Sequence, residues 1–166
     1  MEGLVFIPDI TGFTSFVKGI DMELLFKEGQ PIPLTRLFTG FKKIYEAFNK
    51  KYQLLRLKQN VDTELSLKFI LHYGDVDVYY IKGFKKLYGQ TIIESHRLLK
   101  NNSDFPSYIL ITEDYINALK PTELNHSTTS WQLASCSSQL FTDLREISYC
   151  FFHYSREAAP FSIHLQ

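Results

Sequence analysis

Asp9 stands between a strongly apolar run and a turn of small residues, an arrangement typical of a site for a metal ion and phosphate. The run from Leu4 to Ile7 is continuous, which predicts a strand buried on both faces. Gly12 allows the backbone to approach a ligand, and Thr11 and Thr14 can cap a helix whose first N–H groups bind phosphate. A carboxylate beside such amides can hold a divalent cation that bridges the phosphates. The alternative is that Asp9 caps a helix and does no chemistry.

The remaining patterns predict the elements that must position this site. Apolar residues from Leu37 to Leu55 recur with a helical period, which predicts a helix laid on a sheet. Alternation from Leu65 to Leu71 predicts a strand with one buried face. Further patterns predict a helix at Ile92–Leu99, a strand at Tyr108–Ile111, a loop or strand pair at Asn125–Ser138 and an edge strand at Ile147–Tyr154. Together they predict an α+β sandwich with a mostly antiparallel sheet.

Four segments, taken in order, resemble the catalytic domain of class III adenylate and guanylate cyclases over roughly residues 4 to 119. They are Phe6–Thr14, Ile70–Asp75, Gly89–Leu98 and Ile109–Leu119. The phrases at His72–Gly74, Lys82–Gly89 and His96–Asn102 resemble an uncharacterised bacterial branch of cyclase-like proteins. The resemblance implies a ferredoxin-like sandwich with a mostly antiparallel sheet and its helices on one face.

The resemblance also implies roles for individual residues. Asp9 takes the place of the first metal ligand, for Mg²⁺ or Mn²⁺. Arg97 matches the arginine that stabilises charge developing on the phosphates, a task that suits the permanent charge and forked donors of a guanidinium. The implied loop around a bound nucleoside triphosphate consists of Ile10, Thr11, Gly12, Phe13 and Thr14. Class III cyclases form their site between two subunits, so the resemblance implies a head-to-tail homodimer.

Two positions depart from the family pattern. Ile93 stands where an asparagine should orient the ribose, and an aliphatic side chain cannot make that hydrogen bond. Asp21 matches the second metal ligand, but only eleven residues separate it from Asp9, too few for a crossing helix and a returning strand. The interval has three explanations: the chain lacks these elements, the sequence joins pieces across a segment that it does not contain, or the register is different.

Composition predicts one globular domain, residues 1–155, followed by a C-terminal tail, residues 156–166. The chain has 166 residues, 45% of them apolar, and a formal net charge of zero, so no strong electrostatic field indicates a nucleic-acid partner or an anionic membrane. No run of eighteen apolar residues is present, so no membrane span is expected. Cys136 and Cys150 lack CxxC spacing, and the start is not signal-like. These features predict a cytoplasmic protein with reduced cysteines.

The five histidines do not indicate a metal centre, because no His-x-x-x-His pair or His and Cys spacing is present. His72 ends a predicted strand beside Gly74, which favours a structural or substrate-edge role. Two functional classes remain. The chain is either a nucleotidyl cyclase, which forms a 3′,5′-cyclic nucleotide and pyrophosphate, or a catalytically inactive cyclase-like module that binds a nucleotide or a protein. Ile93 and the spacing of Asp21 favour the second class.

Overall fold

The computed structural model describes residues 1–11, 25–59, 64–101, 103–123 and 125–162. Within these ranges the strands are β1 (Glu2–Thr11), β2 (Leu25–Glu28), β3 (Ser66–Asp75), β4 (Asp77–Ile81), β5 (Phe84–Tyr88), β6 (Tyr108–Thr112), β7 (Asn125–Leu140) and β8 (Glu146–Ser162). The helices are α1 (Leu34–Gln59), α2 (Gln90–Leu98) and α3 (Glu113–Ala118), with a 3₁₀ turn at Pro121–Glu123.

Six strands form one sheet in the order β2-β1-β3-β6-β8-β7, and β4 and β5 form a separate two-stranded ribbon. β3 and β6 run parallel, and the other neighbours are antiparallel. The predicted α+β class with a mostly antiparallel sheet is therefore confirmed. The parallel pair follows from the connection through α2, which carries the chain from the end of β3 back to the level where β6 begins.

α1 packs on one face of the sheet through the apolar period seen in its sequence. Phe38 and Phe41 are almost fully buried, and the Phe41 ring stacks on Phe69 of β3 at 4.5 Å between centroids. Trp131 of β7 is buried on the same face, where its indole Nε1 donates to the carbonyl oxygen of Phe38 at 3.2 Å. This aromatic layer fixes α1 across both halves of the sheet.

The resemblance implied that all helices lie on one face of the sheet. In the structure, α2 packs on the face opposite to α1 and α3. Tyr115 and Ile116 of α3 belong to the core on the α1 face. Leu98 of α2 packs instead with Val5 and Ile70, which point to the opposite face. Side chains alternate along β1 and β3, so two apolar residues in succession supply both cores. The continuous run at Leu4–Ile7 is explained by this double burial.

The C-terminal third differs from the sequence-based expectation in its strand positions. β7 is one long edge strand, although its serine- and threonine-rich sequence was interpreted as a loop or strand pair. β8 lies between β6 and β7, so the prediction of an edge strand there is wrong. β8 also continues to Ser162, which places a strand within the residues predicted as a tail. Pairing with β7 supplies the hydrogen bonds that local composition could not predict.

Cys136 and Cys150 form a disulfide, which corrects the expectation of reduced cysteines. The two residues are directly opposite each other in the β7–β8 pair, with their Cα atoms 4.0 Å apart. A separation of fourteen residues does not reveal this pairing, because it depends on the register of the hairpin.

Among the described residues, no helix has the length and apolar character needed to cross a membrane.

Candidate functional site

Asp9 lies within β1, two residues before the strand ends. Its side chain is half-buried, and its Oδ2 accepts a hydrogen bond from Thr11 Oγ1 at 3.3 Å. Val5 and Ile7 point to the α2 face, so alternation along the strand places Asp9 on that face as well. The carboxylate therefore stands at an open end of the sheet, with a hydroxyl oxygen beside it.

Lys68 is the residue at this end that sequence reasoning missed. It is the direct cross-strand partner of Asp9, and it shares the α2 face because Ile70, two residues later, belongs to that core. Its Nζ lies 5.6 Å from the centroid of the Tyr108 ring, which contributes a cation–π contact. Lys68 is half-buried, and the cross-strand pairing makes Asp9 and Lys68 neighbours on this face.

Tyr108 and Asn101 complete this end of the sheet. Asn101 Nδ2 donates to Tyr108 Oη at 2.6 Å and to the carbonyl oxygen of Leu98, the last residue of α2, at 2.7 Å. Burial raises the pKa of Tyr108 to about 12; the hydrogen bond from Asn101 opposes that rise, and the negative charge of Asp9 adds to it. The phenol therefore keeps its proton at neutral pH and ties the end of α2 to the strand ends.

Arg97 lies on α2, and a carboxylate holds its guanidinium. The two terminal nitrogens of Arg97 donate to the two carboxylate oxygens of Asp143 at 2.7 and 2.5 Å. These hydrogen bonds raise the pKa of Arg97 and lower that of Asp143. The guanidinium carbon also lies 5.9 Å from the centroid of the Phe141 ring. This ion pair is solvent-exposed, so another anion can compete for the guanidinium.

Asp9 and Asp143, the partner of Arg97, lie toward opposite ends of the sheet. Asp9 is at the end where β3 and β6 begin, since it pairs with Lys68, which pairs with Tyr108. The loop 141–145 precedes β8, which begins near Thr112 at the far end of β6. A strand of five residues spans roughly 16 Å. Within one chain, the two predicted site residues therefore contact different groups.

A buried ionic network lies at the Thr112 end of the sheet. His72 is fully buried, with Nε2 2.8 Å from Glu94 Oε2 and Nδ1 2.9 Å from Thr112 Oγ1. Arg145 donates to both carboxylate oxygens of Glu94, at 2.9 and 3.0 Å, and to Asp114 at 2.9 and 3.2 Å. An ionised carboxylate only accepts hydrogen bonds, so His72 carries a proton on Nε2. The network joins β3, α2, α3 and the β7–β8 loop.

The expectation of a structural or substrate-edge role for His72 agrees with this position. A cleft of about 300 Å³ opens beside the network. Its lining includes Gly74, Asp75, Asp77, Gln90, Asp114 and Arg145. Glu94 also lines the cleft, but His72, Gln90 and Arg145 already occupy its oxygens. The network therefore serves first to hold the elements around the cleft together.

We expect acid to weaken the fold through Glu94. Burial by itself would raise the pKa of this carboxyl, but hydrogen bonds from His72, Arg145 and Gln90 outweigh burial and lower the pKa from 4.5 to about 2. A lowered pKa in the folded state means that the stabilisation is present above pH 4.5 and is lost as the pH falls toward 2. The free energy of unfolding should drop by about 3 kcal/mol across this window.

Urea titrations between pH 6 and pH 2.5 measure this loss. Glu94→Gln, which cannot titrate, should flatten the dependence on pH, while Glu28→Gln on the exposed strand β2 should leave it unchanged. The attribution to Glu94 is wrong if Glu94→Gln loses stability with acid as steeply as the parent chain.

The donor types at Asp9 and Thr11 suit a hard cation such as Mg²⁺ or Mn²⁺, because both offer only oxygen. In the ranges described above, however, no group of three or more His, Cys, Asp or Glu side chains is arranged to hold a metal ion. A complete site at Asp9 therefore needs a further ligand. Asp21, the second predicted ligand, lies outside the described residues, as do Gly12, Phe13 and Thr14 of the predicted phosphate loop.

Ile10 and Thr11, the other predicted loop residues, are the last two residues of β1. Ile93, which replaces the expected asparagine, lies on α2 with 48% of its surface exposed. An aliphatic side chain at such a position is available to contact a ligand or a second chain but offers it no hydrogen bond.

Comparisons with known proteins agree with the fold. The adenylyl cyclase CyaB from P. aeruginosa is similar in structure, with a TM-score of 0.56, and the alignment covers 94% of this chain and 96% of that chain. The two sequences are 12% identical, so this similarity shows a cyclase-like fold and nothing finer. A comparison with curated proteins found no match. Residues 15–108, more than half of the chain, match one family, and the chain therefore belongs to the family described as "Protein of unknown function (DUF2652)".

Proposed function

We propose that this chain is a divergent nucleotidyl cyclase-like domain that binds a nucleoside triphosphate together with Mg²⁺ or Mn²⁺. The observation that carries the proposal is the adjacent placement of Asp9 and Lys68 at one end of a cyclase-like sheet. A carboxylate and an ammonium group side by side can bind the two parts of a metal–triphosphate complex, since the carboxylate binds the cation and the ammonium binds a phosphate oxygen.

In this proposal each residue has a separate task. Lys68 binds a phosphate oxygen and is oriented by the Tyr108 ring beneath it. Asp9 holds the divalent ion, which would polarise the α-phosphate and neutralise its charge. If the domain turns over, the ribose 3′ oxygen bonds to the α-phosphorus and loses its proton, and the bond to pyrophosphate breaks. Arg97 stabilises the negative charge that develops on the phosphates.

The proposal takes Arg97 from a second copy, because within one chain Asp143, at the far end of the sheet, already holds the guanidinium of Arg97. The proposal therefore includes a head-to-tail homodimer in which Asp9 of one copy faces Arg97 of the other. Phosphate oxygens then replace Asp143 as the partners of the exposed guanidinium.

Two observations are compatible with the alternative, a nucleotide-binding module without turnover. Ile93 offers no hydrogen bond to the ribose, and Asp143 already neutralises Arg97. Binding at Asp9 and Lys68 does not require either residue. The alternative therefore shares the binding site of the first proposal and differs only in the absence of product.

Titration calorimetry of the full chain with ATP, and separately with GTP, in Mn²⁺ tests the binding, and a cyclic-nucleotide assay tests turnover. Lys68→Met should weaken triphosphate affinity by about tenfold, because one charged hydrogen bond is lost. Lys43→Met removes an exposed lysine of α1 and should have no effect. Binding without product supports the module. No binding of either nucleotide at millimolar concentration contradicts both forms of the proposal.

A further inference from the structure

The ribbon formed by β4 and β5 stands apart from the six-stranded sheet. Its two strands pair with each other and, among the described strands, with no other. They are joined by a two-residue turn in which Lys82 and Gly83 have φ angles of 49° and 84°. Two successive positive φ values match the turn that follows the natural twist of a tight hairpin. The ribbon therefore projects from the body as an ordered hairpin, with the turn as its tip.

One face of the ribbon carries four exposed apolar or aromatic side chains, together with Asp77 and Lys86. Cross-strand pairing puts Ile81 opposite Phe84 and Tyr79 opposite Lys86, so these side chains share a face. Tyr79, Ile81, Phe84 and Tyr88, called the ribbon face below, are 40%, 50%, 71% and 50% exposed. On the other side, Val78 and Leu87 are half-buried, and Leu87 packs against the α2-face core. The ribbon is thus attached through the base of one side, while Tyr80, nearer the turn on that side, is 69% exposed.

The ribbon is also strongly cationic, although the whole chain is neutral. Lys82, Lys85 and Lys86 are exposed, and residues 78–93 contain no Asp or Glu. The nearest carboxylate in the ribbon, Asp77, is at the base of β4. It lies roughly 14 Å from the tip, which exceeds the screening length of about 8 Å at physiological salt. An anionic surface that meets the tip therefore encounters Lys82 and Lys85 without a compensating charge, while Lys86, opposite Tyr79, lies nearer to Asp77.

We propose that the ribbon docks this protein on an anionic membrane surface, with Ile81 and Phe84 inserted among the lipids. The order of side chains along the ribbon supports a membrane as the binding partner. The most apolar pair is next to the turn, and Tyr79, Tyr80, Lys85 and Lys86 follow at the depth where headgroups lie. Tyrosine and lysine are the residues that stabilise such an interfacial position, since their apolar parts stay in lipid and their polar ends reach water.

Two other binding partners, a second copy of the chain and single-stranded nucleic acid, fit the ribbon less well. A second copy of the chain would need about 800 Å² of buried surface on each partner. With roughly 150–250 Å² for each side chain, the exposed fractions of the ribbon face amount to about 300–500 Å², so an interface between two copies would have to extend well beyond this face. Single-stranded nucleic acid stacks on aromatic rings, but the aliphatic side chain of Ile81 at the tip offers no stacking surface. This inference does not depend on the proposed nucleotide site.

Vesicle co-sedimentation of the full chain tests the proposal. Vesicles of phosphatidylcholine containing 30% phosphatidylserine should bind the protein, and pure phosphatidylcholine vesicles should bind it at least tenfold more weakly, with the difference reduced in 0.5 M salt. The basis is the attraction of each lysine to an anionic leaflet, worth about fivefold in affinity. Absence of binding to the phosphatidylserine vesicles would overturn the proposal.

Two variants separate the contributions of the tip. The double variant Ile81→Ser and Phe84→Ser, and the triple variant Lys82→Gln, Lys85→Gln and Lys86→Gln, should each lower vesicle affinity by at least about tenfold. Matched controls on α1 are Leu57→Ser, which changes a side chain that is 83% exposed, and the triple variant Lys50→Gln, Lys51→Gln and Lys58→Gln. Both controls should retain binding, and all variants should keep the parent melting temperature.

Three results count against the proposal. Equal loss of binding in the α1 triple variant would show attraction by overall charge rather than by the ribbon. Conversion of a dimer to a monomer by the Ile81 and Phe84 double variant, with vesicle binding unchanged, would assign the ribbon face to a second copy. Tighter binding of a single-stranded oligonucleotide than of vesicles, abolished by the same double variant, would assign the ribbon face to nucleic acid.

Discussion

Asp9→Asn is expected to lower the affinity for a manganese–triphosphate complex by roughly 100-fold or more, the largest functional effect that we predict. The amide keeps the size of the side chain and can still accept the hydrogen bond from Thr11, so β1 and its pairing with β3 should persist. What disappears is the negative charge that a hard divalent cation requires. Calorimetry with ATP or GTP in Mn²⁺ measures the change, and any cyclic-nucleotide product should be lost with it.

A second measurement, in EDTA, distinguishes loss of metal binding from damage to the site. Without metal, the carboxylate of Asp9 repels phosphate, so Asp9→Asn should bind triphosphate at least as well as the parent chain through Lys68. Asp104→Asn removes an exposed carboxylate from a loop and should behave as the parent under both conditions. Equal binding of manganese–triphosphate by Asp9→Asn and the parent chain would remove Asp9 from the site.

Glu94→Ala is expected to produce the largest loss of stability, roughly 3–5 kcal/mol. The substitution removes the acceptor of His72 Nε2 and of the Gln90 amide, and it leaves Arg145 with Asp114 alone. His72 is fully buried, so water cannot replace the lost hydrogen bond there at low cost. Because the network joins four elements, its loss should weaken the whole domain rather than one loop. Urea unfolding should show a lower midpoint with an unchanged slope.

Comparison variants separate the network from general effects of substitution. Glu28→Ala, at an exposed position of β2, should change the free energy of unfolding by less than about 0.5 kcal/mol. His72→Ala and Glu94→Ala should not be additive in the double variant, because each removes the same hydrogen bond. A loss below about 1 kcal/mol for Glu94→Ala, or full additivity, would show that the network contributes little to stability.

Much of the fold could be predicted from local sequence patterns. The apolar period from Leu37 to Leu55 lies within α1, and the continuous run at Leu4–Ile7 lies in a strand buried on both faces. The order of strands in the sheet was harder to predict. By composition, the β7 segment was interpreted as a loop and the β8 segment as an edge strand. No local feature of either segment indicates that the two strands pair with each other.

The candidate site was only partly predictable for the same reason. Asp9 and Arg97 could be singled out from motifs, but Lys68 could not, because its importance comes from pairing with a residue 59 positions earlier in the chain. Asp143 and Arg145 stand in a loop without any motif, and their partners Arg97 and Glu94 are about 50 residues away. The alternation of side chains along β3 did indicate the face on which Lys68 lies, because Lys68 and Ile70 are two residues apart and therefore point to the same side of the sheet.

By itself, the sequence determined which segments become strands and helices and which residues could carry charge to a phosphate, because periodicity and side-chain chemistry are local properties. Only the tertiary structure decided that Asp9 stands beside Lys68, that Asp143 holds Arg97, that His72 joins a buried ionic network and that Cys136 meets Cys150. These pairings depend on strand order and register. Both are set by the packing of the whole domain, so they cannot be predicted from any single residue.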